Sequence, residues 1–327
     1  MANKITKIGV FTSGGDAPGM NAAIRAVVRT GIYHGLEVMG IYHGYDGMID
    51  GEIKSMDSAS VSNILQRGGT ILRCSRSEAF RTNAGRKKAA LNLKMKGING
   101  VVAIGGDGTF RGADVFYKEC RIPIIGLPGT IDNDLFGTQF TVGYDTAINT
   151  ALDAIDKLRD TAASHDRLFI IEVMGRDVGL IALRTGIAAG AEAVLVPETK
   201  TDIDRVIGIL EKGWKRKKSS SIIVVSEGDK TGGAYEVASR IQKKFKQYKV
   251  RVSILGYLQR GGKPTCMDRV LASRLGVAAV EALISGKANM MVGASHNKII
   301  YTPFNQATKH HNDINPNLYR IAEILSN

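Results

Sequence analysis

The sequence predicts an α/β fold with buried parallel strands, on three observations. Five apolar, β-branched runs each end in glycine beside charged residues. Residues 7–11 precede Thr12-Ser13-Gly14-Gly15-Asp16, 101–104 precede Gly105-Gly106-Asp107-Gly108-Thr109, and 124–127 precede Pro128-Gly129-Thr130-Ile131-Asp132-Asn133-Asp134. Residues 169–173 before Met174-Gly175-Arg176 and 222–225 before Ser226-Glu227-Gly228 complete the set. Helix-length segments separate the runs, the pattern of strands covered on both faces. At 327 residues the chain exceeds what one hydrophobic core usually serves, so two domains are expected. Ligands of open parallel sheets sit just beyond the carboxyl ends of the strands, so the glycine loops are expected to converge on one cleft.

In order, residues 7–11 read as the first strand and 20–33 as a helix, with Arg25 and Arg29 four apart on one face. The stretch 36–41 reads as a strand, and 61–66 as a short helix ahead of the basic loop 73–81. A basic helix is expected over 85–96, then strands over 101–104 and 122–127 around another helix. Ile148, Leu152, Ile155 and Leu158 make the apolar stripe of a long helix over 144–161. The second half repeats this logic, with strands near 168–173, 193–196, 221–226 and 251–256, helices between them, and a last helix over 317–325. No low-complexity linker separates the halves, and the boundary is expected near residue 143.

The net charge of +13 is compatible with nucleic acid, a membrane surface or small anionic ligands. Only Lys215-Arg216-Lys217-Lys218 is a dense basic run, and aromatics at 6% are poor material for stacking bases, so small phosphorylated ligands fit better. No stretch approaches the roughly 20 apolar residues of a membrane-spanning helix, and Met1-Ala2-Asn3-Lys4 runs straight into the first strand, so a cytoplasmic chain is expected. Cys74, Cys120 and Cys266 lack metal-ligand spacing and are expected as free thiols.

The 105–109 loop lacks the Lys-Ser/Thr pair of a P-loop, and Arg111 stands where the dinucleotide fingerprint needs its last glycine. Glycine lets the backbone approach phosphate oxygens, and a strand-to-helix turn aims amides and the helix dipole at them. On that reading Asp107 is free to hold Mg²⁺; on the other, the turn is only a tight connection. Asp132 and Asp134 offer two carboxylates after a Pro-Gly-Thr turn. An ordinary Asp, with pKa about 3.9, takes a hydroxyl proton only as the transition state develops, which is what phosphoryl transfer to an alcohol asks of a base. Asx turns capping a helix are the alternative for this pair. Arg76, Arg176 and Arg260 stand near these loops, and guanidinium forks match phosphate, although single loop arginines are usually solvated charges.

Through the segments 12–21, 105–109, 128–134, 172–176 and 259–262, in that order, the chain resembles the bacterial-type ATP-dependent 6-phosphofructokinases along nearly its whole length. The resemblance implies two doubly wound (Rossmann-like) three-layer αβα domains with the active site in the cleft between them. Residues 1–143 plus about 259–309 would form a larger ATP-binding domain, and 144–258 plus about 310–327 a smaller sugar-phosphate-binding one. It implies transfer of the ATP γ-phosphoryl group to the 1-hydroxyl of fructose 6-phosphate, giving fructose 1,6-bisphosphate and ADP in glycolysis. Asp132 then matches the base, with Thr130, Asp134, Gly15, Arg76 and Arg176 also at the chemistry. Gly15, Tyr45, Arg76, Ser77, Gly106, Gly108 and Thr109 match nucleotide-binding positions, and Asp107 the Mg²⁺ position. Thr130, Ile131, Asp132, Met174, Gly175, Arg176, Glu227, Tyr257, Leu258, Gln259 and Arg260 match the sugar-phosphate site. Arg167 and Arg251 match arginines that reach that site from a neighbouring subunit, which implies a homotetramer with shared active sites.

Pyrophosphate-dependent relatives carry an aspartate after Gly-Gly-Asp and a lysine before Thr-x-Asp. Gly108 and Gly129 stand there instead, leaving room for an α-phosphate and favouring ATP. Tyr257 replaces the usual histidine; it keeps one hydrogen-bond donor but cannot become cationic, so altered sugar-phosphate affinity is expected. In the family's effector site for ADP or phosphoenolpyruvate, Arg25, Arg29, Arg159, Gly190, Glu192, Arg216 and Lys218 match, whereas Ser58, Asn63 and Ser220 replace a usual arginine, aspartate and histidine. A desolvated charged contact is worth about 1.5 to 3 kcal/mol, so a weakened or altered response is expected. Other kinases with a Gly-Gly-Asp-Gly-Thr loop, such as NAD or diacylglycerol kinases, would not supply 128–134 or 259–262. A nucleic-acid-binding regulator would leave both carboxylate loops idle, and a catalytically dead homologue would not keep Asp107, Asp132 and Arg176.

Overall fold

The computed structural model describes residues 4–164, 167–217, 220–247, 249–309 and 314–325. The chain runs through β1 (Lys7–Thr12), α1 (Met20–Tyr33), β2 (Glu37–Ile41), α2 (Gly44–Asp50), β3 (Ile53–Met56), α3 (Asn83–Met95), β4 (Gly100–Gly105), α4 (Asp107–Cys120), β5 (Ile124–Pro128) and α5 (Tyr144–Ala163). It continues through β6 (Arg167–Val173), α6 (Leu180–Ala188), β7 (Ala193–Leu195), α7 (Ile203–Lys215), β8 (Ser220–Ser226), α8 (Gly233–Lys244) and β9 (Lys249–Ile254). The last elements are α9 (Cys266–Ile284), β10 (Met290–Ser295), β11 (Lys298–Pro303), α10 (Phe304–Ala307) and α11 (Pro316–Leu325). Contacts divide it into two units, Met1–Thr146 with Arg260–Asn312 and Ala147–Gln259 with Asp313–Asn327.

In the first unit the strand order is β11-β10-β5-β4-β1-β2-β3. The central strands are parallel, while β3 and β11 close the edges as antiparallel partners of β2 and β10. β4 and β5 are buried throughout because helices cover both faces, α1 with α9 on one and α2, α3, α4 and α10 on the other. The fit is close: a Cβ on Gly126 would stand 2.5 Å from the rings of both Phe110 and Phe304, which stack on each other. The second unit has an all-parallel sheet, β7-β8-β6-β9. Its core sets Leu168, Ile170, Ile223 and Val225 against Leu210 of α7 and Ile241 of α8, while α6 packs on β7 and β8.

Three sequence expectations change. Residues 61–66 form successive turns rather than a helix, because Asn63 takes a left-handed φ of 54°; Val61 and Ile64 still bury as pins. On α5 the fully buried apolar residues are Tyr144, Ala147, Ala151, Ile155 and Ala162, with Ile148, Leu152 and Leu158 at the margin. That stripe shares Ile155 with the expected one but otherwise runs through Ala147 and Ala151, one position ahead of Ile148 and Leu152. The strand expected over 251–256 ends at Ile254, and a 3₁₀ turn, Gly256–Arg260, follows. The glycine loops after β1, β4 and β5 leave one sheet and those after β6 and β8 the other.

Candidate active site

Three loops of the first unit are bonded together at the carboxyl ends of β1, β4 and β5. A Cβ on Gly105 would stand 2.4 Å from Thr109 Oγ1 and 2.6 Å from Ser13 O, so only glycine lets the β1 and β4 loops touch. Thr109 Oγ1 donates to Ser13 O (3.1 Å), Ser13 N to Ile104 O (3.0 Å) and Gly129 N to Gly105 O (2.9 Å). Because α4 begins at Asp107, directly after Gly106, its first-turn amides lack partners within the helix and its dipole is positive at this end. A Cβ on Gly108 would meet nothing within 4 Å, so the backbone there is open. Asp107 Oδ1 accepts from Arg111 Nε one turn on (2.9 Å).

Asp132 and Asp134 are buried, at 3% and 8% exposure, and Ile131 between Thr130 and Asp132 is fully so. Asn133 braces them in left-handed backbone (φ 54°): its Oδ1 accepts from Thr141 N (2.7 Å) and its Nδ2 donates to Gln139 O (3.2 Å). Thr141 Oγ1 donates to Thr130 O (2.6 Å), and Thr130 Oγ1 accepts from Asp132 N (3.2 Å). The next helix starts only at Tyr144, so the pair does not head a helix as an Asx cap would.

Arg260 lies over Gly15: a Cβ there would come within 2.5 Å of its Nη1, which donates to Asp16 O (3.1 Å). Arg76 is exposed, and Ser77 Oγ accepts from Phe80 N (3.1 Å). Tyr45 is buried, which raises its phenol well above the ordinary range; it donates to Thr109 O (2.7 Å) and stacks on Phe80, so it supports the α4 loop. Burial pushes the Cys74 thiol up to about 11, so it stays protonated at neutral pH. Sequence reasoning alone does not single out Asn21, Asn133, Thr141 or Asp268. Asn21 bonds Arg67 O (3.1 Å), Gly68 O (3.2 Å) and Ile71 N (2.8 Å), shaping the loop that leads to Arg76. Asp268 accepts from Gly143 N (2.8 Å) and from Thr146 N and Oγ1 (2.8 and 2.5 Å), and burial raises its pKa. The only signal for them was small polar residues beside or between glycine loops and helix starts.

In the second unit Glu227 gathers the turn after β6. Its Oε1 accepts from Gly175 N (3.3 Å) and Arg176 N (2.8 Å), while Gln259 Oε1 accepts from Met174 N (3.3 Å). Gly175 and Arg176 both have positive φ, 142° and 52°, and a Cβ on Gly228 would collide with Arg176 O at 1.9 Å. The Arg176 side chain is exposed, as are Tyr257 and Leu258. Arg167 opens β6, at the other end of the strand from this turn, and Arg251 in β9 is level with Phe169, so neither joins the turn within one chain.

Of the anion-site residues, Arg25 and Arg29 lie on α1, and Ser58 and Asn63 in exposed turns. In the second unit Arg159 donates to Ala189 O and Gly190 O; Glu192 is buried and accepts from Ile222 N (2.5 Å); Ser220 is buried; Arg216 is exposed after α7. Lys218 lies outside the described residues. Among the described residues no cluster of three or more His, Cys, Asp or Glu could hold a metal ion, and no helix is long and apolar enough to cross a membrane.

The family profile described as phosphofructokinase matches residues 7–283. The chain is 54% identical over 319 residues to ATP-dependent 6-phosphofructokinase 2 of Bacteroides thetaiotaomicron, covering 98% of each protein. It is 55% identical over 320 residues to ATP-dependent 6-phosphofructokinase 1 of Thermus thermophilus, covering 98% of this chain and 99% of that one. Among solved structures it is similar to the phosphofructokinase of Saccharomyces cerevisiae, with a TM-score of 0.88 and 37% identity over 93% of this chain, and it spans 45% of the yeast chain. A match that runs through both units and both sets of loops means that the chain belongs to the phosphofructokinase family.

Proposed function

We infer that the chain is an ATP-dependent 6-phosphofructokinase, a phosphotransferase that moves the γ-phosphoryl group of ATP to the 1-hydroxyl of fructose 6-phosphate in glycolysis, in the cytoplasm. The observation that carries this reading is identity of 54% and 55%, across 98% of the chain, to proteins named for that activity. Its fit to the site supports it. The first unit binds ATP: phosphate oxygens take the first-turn amides of α4, and the open backbone at Gly108 leaves space for an α-phosphate. Gly15, Ser77, Gly106 and Thr109 complete that surface, with Tyr45 beneath it. Asp132 accepts the sugar hydroxyl proton, on a loop that Thr130, Asn133 and Thr141 hold in place, with Asp134 beside it. Arg76 and Arg176 offset the charge that develops on the transferred group.

The second unit binds the sugar phosphate. Glu227 and Gln259 fix the Met174-Gly175-Arg176 turn, and Tyr257 and Leu258 extend the surface, while Arg260 of the first unit is also assigned to the sugar phosphate. Arg167 and Arg251 act on a neighbouring subunit's site in a homotetramer. Mg²⁺ takes one or two carboxylates plus substrate phosphates and keeps several waters. Asp107, a carboxylate at the head of α4 beside open backbone, fits that demand and would hold it, and the ion would offset phosphate charge. ADP or phosphoenolpyruvate would bind the Arg25, Arg29, Arg159, Arg216 and Lys218 site with a weakened or altered response, since Ser58, Asn63 and Ser220 supply no charge; effector titration reads this directly.

A coupled assay with Mg²⁺, fructose 6-phosphate and either ATP or pyrophosphate tests the reading, comparing wild type with Asp132→Ala. Turnover with ATP should fall at least about a hundredfold in the variant, the scale of a lost general base. Turnover with pyrophosphate alone would reverse the donor, and none with either would overturn the reaction.

A further inference from the structure

We propose that the first unit carries a separate docking surface, a groove at the amino ends of its strands that receives an acidic amphipathic segment of a partner protein. The groove encloses about 1100 Å³ and is walled by α3, the ends of α4 and α9, and the residues just ahead of β1, β2, β4, β5 and β10. The glycine loops leave the other ends of β1, β4 and β5, so the groove goes beyond the phosphoryl-transfer site. Its rim carries Lys4, Lys87, Lys94, Arg121 and Lys287, and no aspartate or glutamate lines it. All five cations are exposed, and none has an ion-pair partner among the described residues.

The basic helix α3 shows the division of labour. Arg86 and Lys88 pair with Glu119 and Asp50, whereas Lys87 and Lys94 line the groove unpaired. Leu91 lies between them at helical spacing, 55% exposed, and Ile284 across the groove is 43% exposed over a floor that includes buried Ile98 and Leu283. Arg121 ends α4 with a left-handed φ of 57°, where glycine would be unstrained, and its guanidinium lies 5.9 Å from the Tyr117 ring centre.

A rim of one sign calls for an anionic occupant, and exposed leucine and isoleucine inside it call for an apolar face on that occupant. An acidic amphipathic helix supplies both. Nucleic acid would cover the cations but leave the apolar floor wet, and a flat bilayer does not enter a concave groove. The net charge of +13 would speed the encounter.

The test uses the full-length protein and a fluorescein-labelled peptide of about 18 residues, leucine at i, i+3, i+4 and i+7 and glutamate elsewhere, followed by anisotropy. Saturable binding in the micromolar range is expected at about 100 mM salt, weakened about tenfold or more at about 500 mM. The variant Lys87→Glu/Lys94→Glu/Arg121→Glu should weaken it about tenfold or more, and Leu91→Ser several-fold, with sugar-phosphate turnover unchanged in both as the sign of an intact fold. Absence of saturation, binding that survives the charge reversal, or equal binding of a peptide with serine in place of leucine would overturn the proposal. Binding of single-stranded RNA or of anionic vesicles through the same residues, without peptide binding, would overturn the choice of partner.

Discussion

Gly108 and Gly129 occupy the two donor-reading positions, yet their surroundings differ. A Cβ on Gly108 meets open space, whereas one on Gly129 would stand 3.0 Å from Ile104 and 3.2 Å from Met20. An aspartate at 108 therefore fits the fold, and in the first turn of α4 its charge suits the helix dipole. Gly108→Asp is expected to leave Tm unchanged or slightly raised while ATP turnover falls at least about tenfold, because a second carboxylate sits where phosphate must come. A thermal melt beside the coupled assay separates the two effects. Loss of the fold instead would mean that the space at 108 is not open in solution. At this scale the positions of the glycine and carboxylate motifs after the strands were legible, because they are contiguous in the sequence. Asn21, Asn133 and Thr141 were not, because a buried polar side chain shows its purpose only through the distant groups it bonds.

Between elements, Arg86 ties α3 to α4. Its Nε and Nη2 donate to the Glu119 carboxylate at 2.7 and 2.8 Å, and its Nη1 to the carbonyls of Phe80 and Arg81 at 2.9 and 2.7 Å. The hydrogen bonds from Arg86 hold the Glu119 carboxyl below the ordinary range. Such a carboxylate contributes stability above its unfolded pKa and loses it as pH falls through the folded value. Arg86→Leu is thus expected to lower Tm by several degrees at neutral pH, with the gap to wild type narrowing at acid pH, read by melts between about pH 3 and pH 7. A gap independent of pH would assign Arg86 a packing role only. Strands were legible at this scale as continuous apolar runs, because both faces of the sheets are covered, and long helices through the 3.6 period of their apolar residues. The 61–66 segment was misread because Val61 and Ile64 have helical spacing although a left-handed Asn63 breaks the turn. The short edges β3 and β11, half exposed, carry too weak a pattern to be seen.

For the whole molecule, Arg167 and Arg251 are the residues that one chain leaves away from the Arg176 turn. If neighbouring subunits supply them, an Asp132→Ala variant and an Arg167→Ala/Arg251→Ala variant, each nearly inactive, should regain activity when unfolded together and reassembled. Mixed oligomers then hold some sites with both sets intact. No recovery, with sedimentation showing mixed assembly, would place both arginines in their own chain's site.

The sequence by itself determined that this is an α/β chain with parallel strands and which family it resembles, because those properties reside in residues adjacent along the chain. Only the tertiary structure decided the order of the strands within each sheet, that Glu227 and Gln259 hold the Arg176 turn, and that α3 turns unpaired cations into a groove at the far ends of the strands. Those facts depend on strand order and on hydrogen bonds between distant residues, and neither leaves a periodic trace in the sequence.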